Sequence, residues 1–406
     1  MIKMSNGFRV RSPEATLAFA KAFAAELGIT RVTDITRLDS VGVPVCASIR
    51  PNAATGSLCV NAGKGMSVLE ARVGAYMEAI EFACAEFGRS AAVRYMAATA
   101  RDVLDGRDNP GAILDFCPIM EREIELDEAM GCVCAEDLSQ GGETLIPAEL
   151  VFLPCPVDVS LQPCFGSNSN GLASGNSPVE ATVHALIECF ERDIRSFQHI
   201  RDTSSLVDPR TYPEAVKRIE TQANAAGLSL AVRYADNQFG LPYFMAIVAN
   251  LTDCDPIYVN VGYGCHLSSD IAMSRAVTEC FQSRLSFIHG GRDDLQNRYE
   301  FFGDWTAEAK RDYAARLIKE TFSADDVVSF ADVPDLAPTV ATVDDALVKL
   351  IDIAKCVDGA RVLRVRYTTD EQPLQIVRVI VSKFEFFTEA TARVGYRLRD
   401  YVQTLA

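Results

Sequence analysis

Six residues share a spacing that would gather acid groups on one side of three helices: Glu78, Glu81, Glu188, Glu191, Glu279 and Gln282. Each pair follows a serine at identical offsets. From Ser67, Ser177 and Ser268, alanines come four and eight residues later, and the pair comes at eleven and fourteen. Such steps keep residues on one helix face. In the middle copy Glu180 and His184 join that face. Crowded carboxylates repel one another unless a cation lies among them. No His-rich or paired-Cys set accompanies them, which argues against zinc. Cys132 and Cys134 are too close for a metal knuckle, and no second pair follows. Carboxylate oxygens favour hard cations, and magnesium is usually held by a few carboxylates plus phosphate oxygens. Lys64, Arg192, Arg284 and Arg292 accompany the acidic stretches, and a guanidinium clamps phosphoryl oxygens well. No P-loop exists, because Gly63-Lys64-Gly65 lacks the earlier glycine and the following Ser or Thr. These residue types point to a magnesium–nucleotide site outside the familiar nucleotide-binding folds.

The elements that must position these groups are legible around them. Ser177 is a good N-cap, Pro178 suits the first helical position, and Glu180 stands where a capping box puts its carboxylate. Apolar Val183, Ile187 and Phe190 follow at helical spacing. Helices are predicted at 13–27, 67–87, 177–199, 213–228, 268–287, 305–323 and 343–359. Strands are predicted in 29–36, 43–50, 131–138, 144–157, 228–236, 242–251, 361–369 and 374–386, the last of them buried. No long Pro/Gly/Ser-rich linker interrupts the chain. The reading is one α+β catalytic unit with mixed sheets over residues 1–406: an N-terminal helix and strands in 1–60, a core with the three acidic helices in 61–300, and C-terminal helices and strands in 301–406.

Composition narrows the class. The chain has 39 basic and 55 acidic residues, a net charge of −16, which argues against a nucleic-acid or anionic-membrane surface. No run of apolar residues is long enough for a membrane span, and the first residues lack the apolar core of a signal peptide. Thirteen cysteines, an odd number and many in apolar runs, fit reduced thiols in the cytoplasm rather than a disulfide framework.

The blocks at 28–45, 63–81, 169–193, 264–284, 290–295 and 376–385 resemble the YcaO family, in that order and over nearly the whole chain. The resemblance implies the YcaO-like fold, with ATP and Mg2+ as cofactors and activation of a backbone amide in a ribosomally made peptide or protein. It implies Glu78, Glu81, Glu188 and Glu191 as magnesium ligands. Asn176, Glu180, Arg192, Gln282 and Arg284 would hold the nucleotide, with Glu279 beside them and Lys64 close to the phosphates. Many members have serine where this chain has Gly74, so a nucleotide contact there is not carried over. The catalytic candidates are Glu191, Arg284 and His266, the last as an acid/base group just before the third helix. His184, His199 and His289 read as structural, Cys265 as a core thiol, and Arg292-Asp293-Asp294 as either a charged turn or a group near substrate.

Phosphorylation of an amide oxygen makes it a leaving group, and the attacking nucleophile then decides the product. Azoline-forming members finish in a proline-rich tail, whereas this chain has no proline after Pro373. The blocks Gly264-Cys265-His266, Gln282-Ser283-Arg284 and 290–294 look most like members that work with a TfuA-type partner in thioamidation. The expectation is therefore ATP-dependent thioamide formation with external sulfide. The alternatives are an azoline-forming cyclodehydratase and, from another class, a silent ATP-binding scaffold that presents leader peptide. The resemblance also implies a homodimer.

Overall fold

The computed structural model describes all residues except 105–109, 156–162, 253–254, 293–294, 389 and 406. A short hairpin, β1 (Ile2–Met4) and β2 (Gly7–Arg9), precedes α1 (Pro13–Glu26). Strands β3 (Arg31–Asp34), β4 (Val45–Ile49) and β5 (Val60–Lys64) form an antiparallel sheet in that order, and β5 feeds α2 (Val68–Ala85). Then come β6 (Tyr95–Thr99), α3 (Ala100–Val103), β7 (Ala129–Asp137), β8 (Glu143–Pro147) and β9 (Leu172–Gly175), which feeds α4 (Pro178–Ile200). Next are β10 (Ser205–Val207), α5 (Glu214–Ala225), β11 (Ser229–Tyr234), β12 (Tyr243–Ala249) and β13 (Asn260–Cys265), which feeds α6 (Ser269–His289). The chain continues through α7 (Gln296–Phe301), α8 (Ala307–Thr321), β14 (Val327–Val328), α9 (Val343–Ala354), β15 (Val362–Arg366), β16 (Gln375–Val381) and α10 (Tyr396–Leu405).

Two larger sheets complete the architecture. One runs β13-β12-β11-β10-β14, antiparallel except for the parallel β10/β14 pair. The other runs β6-β7-β15-β16-β9, with β8 also paired to β7. The last hundred residues therefore do not stand apart: β14 extends the first of these sheets, and β15 and β16 bridge β7 and β9 in the second. The α+β reading with mixed sheets is borne out. The sequence did not announce the β1/β2 hairpin, the half-exposed strand β6 or the helix α10. The first two are too short or too exposed for a clear period, and the short α10 has Leu398, Val402 and Leu405 at helical spacing but buries only Leu398. The stretch expected as one strand over 144–157 is β8 followed by a 3-10 turn at Ala148–Leu150, and 156–157 lie outside the described residues. Among the described residues no helix is long and apolar enough to cross a membrane.

The three acidic helices belong to three strand–helix units, and each unit's strand is the edge strand of its own sheet. Small residues make the strand–helix contact close. A Cβ at Gly63 on β5 would fall 2.0 Å from Ala75 N, and one at Gly262 on β13 would fall 2.1 Å from Cys280 N. One at Gly175 on β9 would fall 2.6 Å from Ala181 N. The alanines four and eight residues past each serine are buried against these strands. Each helix also packs on the strand of the next unit: α2 on β9, α4 on β13 and α6 on β5. The three units thus close a ring, and the shared register of the sequence is the register of that ring.

A candidate nucleotide site at the centre of the ring

The residue fourteen positions after each serine closes the ring by a hydrogen bond to the next strand. Glu81 accepts from Ser174 Oγ on β9. Glu191 accepts from the Cys265 amide on β13, at 3.2 Å. Gln282 donates from Nε2 to the Ala62 carbonyl on β5. This explains the break in the pattern. A carbonyl must be met by a donor, which a carboxylate lacks and an amide side chain has. The residues at position eleven turn further toward the centre. Glu188 lies 3.6 Å from Arg192, and Glu279 is ion-paired with Lys64.

Around this centre lies a cavity of about 680 Å³. Its wall includes Glu78, Glu81, Glu188, Glu191, Glu279, Gln282, Lys64, Asn176, Glu180 and Arg192, all named by the sequence. The cap of α4 differs from expectation. Ser177 Oγ accepts from the Glu180 amide at 3.1 Å, but the Glu180 carboxylate does not return to the cap. It accepts instead from Val10 N at 2.9 Å and Asn176 Nδ2 at 3.1 Å, with Arg9 at 3.8 Å. The complete capping box is on α2, between Ser67 and Glu70. The β1/β2 hairpin thereby brings Arg9 over the Glu180 end of the cavity.

Two catalytic candidates are corrected. Arg284 does not line the cavity; it points to Asp39 with two hydrogen bonds of 3.1 and 3.2 Å. Two residue-steps on a helix turn the side chain by about 200°, so Gln282 faces the ring while Arg284 faces the β3–β4 turn. His266 is 2% exposed and also absent from the wall. Its Nδ1 accepts from Ser268 N at 3.0 Å, and its ring meets the edge of Phe8 at 4.6 Å. Burial, with Arg275 and Arg9 nearby, holds it far below the usual histidine range, so it is no general acid at neutral pH. Burial beside Glu191 likewise pushes the Cys265 thiol well above its ordinary value, which leaves it unreactive.

His184, read as structural, instead faces the cavity, with Nε2 3.0 Å from an Arg275 guanidinium nitrogen. Burial and that guanidinium keep it neutral. Arg9, Arg195, Arg275 and Arg298 also line the wall. Position seven of each copy, Gly74, His184 and Arg275, faces the same space, a signal the spacing held once the serines were aligned. At Gly74 a Cβ would come within 3.3 Å of Gly63 Cα, so the glycine there relieves the α2–β5 contact. Arg292 is on the wall, while Asp293 and Asp294 lie outside the described residues.

The electrostatics fit a cation among the carboxylates. Burial pushes Glu81 up to about 8, with Glu78 and Glu188 adding to it and Ser174 opposing. Burial also raises Glu78 to about 6 against Arg292 and Lys64, and raises Glu188 against Arg192. Burial would raise Glu279 as well, but Lys64 and Arg192 outweigh it and hold that carboxylate below its usual range. Among the described residues no three acidic, His or Cys side chains already close on one point as a finished metal cage. Carboxylates spread around a cavity suit an ion that takes part of its coordination from a ligand's phosphates.

The model of the YcaO cyclodehydratase family, described as ATP- and Mg2+-binding, matches residues 62–385. The chain belongs to the YcaO family. It is 33% identical to an uncharacterized protein of Methanothermobacter thermautotrophicus over 396 residues, covering 97% of this chain and 99% of that one. It is 34% identical to an uncharacterized protein in the tfuA 3' region of Rhizobium leguminosarum bv. trifolii, over 71% of this chain and 70% of that one. Its fold matches the YcaO of Methanopyrus kandleri bound with AMPPCP and Mg2+, with a TM-score of 0.74 and 21% identity over 98% and 97% of the two chains. ATP and Mg2+ are the cofactors of this family, and peptide modification driven by ATP is its activity. The donor set fits that pair: carboxylates of α2 and α4 suit the hard cation, and the lysine and arginines between them suit phosphate oxygens.

Proposed function

We propose that this YcaO protein activates a backbone amide of a peptide or protein and replaces its oxygen with sulfur from external sulfide. The observation that carries the ATP-dependent step is the cavity wall, which gathers carboxylates of three helices together with Lys64, ion-paired with Glu279, and Arg192, beside Glu188. Bound ATP and magnesium supply a phosphoryl group for the amide oxygen and neutralise its charge. In this reading Glu78, Glu81, Glu188 and Glu191 hold the metal. Asn176 and Glu180 hold the nucleoside end, and Lys64, Arg192 and Gln282 orient the phosphates. Glu279 fixes Lys64 by their ion pair. His184, neutral and bonded to Arg275, fixes that arginine toward the same space. The three blocks of the chain act as one catalytic unit, in the cytoplasm and as a homodimer.

The thioamide reading is supported by the relative in the tfuA 3' region, which makes a TfuA-type protein the expected sulfur-delivery partner. The second reading is azoline formation from Cys, Ser or Thr of a precursor peptide, and the family's description as cyclodehydratases favours it. Intact mass of a candidate peptide after incubation with protein, ATP, Mg2+ and sulfide separates them, with and without the TfuA-type partner. Exchange of oxygen for sulfur is the expected outcome. Loss of one water would replace it with azoline formation. ATP binding without any ATP hydrolysis in the presence of peptide would leave a scaffold.

A further inference from the structure

Helix α4 works as a ruler through the cavity. Glu180, His184, Glu188, Glu191, Arg192 and Arg195 all reach the wall. At 1.5 Å rise per residue, Glu188 lies about 12 Å along the axis from Glu180, and Arg195 lies about 10 Å further on. The acidic ring is therefore between Arg195 and the Asn176/Glu180 end. A nucleotide anchored at Glu180 with its phosphates at the ring leaves Arg195 on the acceptor's side.

That end of the cavity has its own chemistry. The Arg195 guanidinium sits over the Tyr263 ring at 4.1 Å from its centroid, and among the described residues it meets no hydrogen-bond acceptor. Tyr263 is fixed in turn: its amide donates to Glu279 at 3.3 Å. Arg298 adds a second cation, held by the Pro256 and Val259 carbonyls at 2.6 and 2.9 Å. Val261 and Leu295 add apolar surface to the same cavity wall. A cation fixed on an aromatic face, with its donors unused and apolar surface beside it, suits a planar carboxylate taken in two-point contact. The chain as a whole, at −16, would repel an acidic peptide, so attraction at this place is selective rather than general.

We propose that Arg195, set on Tyr263, reads a carboxylate of the peptide beside the amide that is to be activated. This rests on the reading of the cavity as a joint nucleotide and peptide site. The carboxylate can come from an Asp or Glu side chain or from the peptide's C-terminus.

The test uses fluorescein-labelled peptides of one length with a central glycine, in three forms. The first has Asp flanking the glycine and an amidated C-terminus, the second has Asn there and the same amide, and the third has Asn with a free C-terminus. Anisotropy gives Kd for the wild type, Arg195→Ala and Arg195→Lys, each saturated with a non-hydrolysable ATP analogue and Mg2+. One carboxylate-bearing form should bind the wild type about tenfold more tightly than the neutral form. That advantage should vanish in Arg195→Ala and partly return in Arg195→Lys, and the form that shows it names the source. Equal or absent binding of all three forms, or an advantage that survives Arg195→Ala, overturns the proposal. The analogue is also titrated without peptide. Unchanged nucleotide affinity in Arg195→Ala is expected; a tenfold loss would put Arg195 on the phosphates and overturn the assignment. A wild type that binds no analogue at all would sink the site reading itself, which this second titration detects separately.

Discussion

On α2 and α4 the residue at position fourteen is a carboxylate that accepts a hydrogen bond from the next unit's strand; on α6 it is an amide that donates one. The position-eleven carboxylates differ too. Glu78 and Glu188 are raised by burial, whereas Glu279 is held ionised by Lys64. One register therefore does two jobs. On the reading proposed above, two copies offer their carboxylates to a cation, while the third pairs its carboxylate with Lys64. Copies of a motif need not share a role even where they share a geometry.

The largest expected break in this comparison is Glu191→Gln. The new side-chain amide keeps a carbonyl oxygen that can accept from the Cys265 amide, so melting temperature and circular dichroism should stay near the wild type. Turnover should fall about a thousandfold, as for loss of a charge that stabilises a transferring phosphoryl group. Near-normal turnover would remove Glu191 from the metal site.

Gln282→Glu makes the third helix copy the first two in sequence. It sets a carboxylate against the Ala62 carbonyl, with no donor between them. A loss of about 2 kcal/mol in urea unfolding at neutral pH is expected, the cost of leaving the buried Ala62 carbonyl unsatisfied against a negative charge. Unchanged stability would mean that ring closure does not depend on that bond.

Glu81→Gln sharpens the comparison through pH. Its folded carboxyl titrates near 8, against about 4.5 in the unfolded chain. Between those values the folded protein keeps a proton that the unfolded chain has released, so this group's contribution to stability falls as pH rises from 4.5 to 8. Without nucleotide and metal, Glu81→Gln should match the wild type at pH 4.5. It should exceed the wild type at pH 8, by on the order of 1–3 kcal/mol. Parallel melting curves across that window would show that Glu81 is ionised without a cation.

The smallest effect is expected for Arg284→Ala. Its guanidinium is engaged with Asp39, so ATP affinity should change by no more than about twofold. A tenfold loss, read by nucleotide titration, would return Arg284 to the phosphates.

Much of this was legible in the residues alone. The serine-based register named Glu78, Glu81, Glu188 and Glu191 together, and all four line one cavity. Among the described residues the seven longest helices and eight of the sixteen strands followed from periodicity and caps; the short, glycine-bearing strands β5, β9 and β13 that feed the acidic helices did not. What could not be read was partnership across the ring. Arg284 and Lys64 are equally basic in the sequence, and only the fold sends one to Asp39 and the other to Glu279. Arg9 and Arg195 carried no local signal. Arg9 arrives through a three-residue strand, and Arg195 is one charge among many on a long helix. The Ser177–Glu180 spacing fitted a capping box, yet tertiary bonds from Val10 and Asn176 drew the carboxylate away.

The glycines under the three helices have a consequence for anyone who maps tolerance to substitution. Gly262 is not on the cavity wall, yet a methyl group there would collide with the backbone of α6 at Ala276 and Cys280. To relieve it, the helix must lift from its strand, and Glu279 and Gln282 rise with it. A mutational scan scored by activity alone would rank Gly262 among the ligand-binding residues. The ranking would measure the thickness of a joint, since in this protein the alignment of charges is machined by the residues that have no side chain at all.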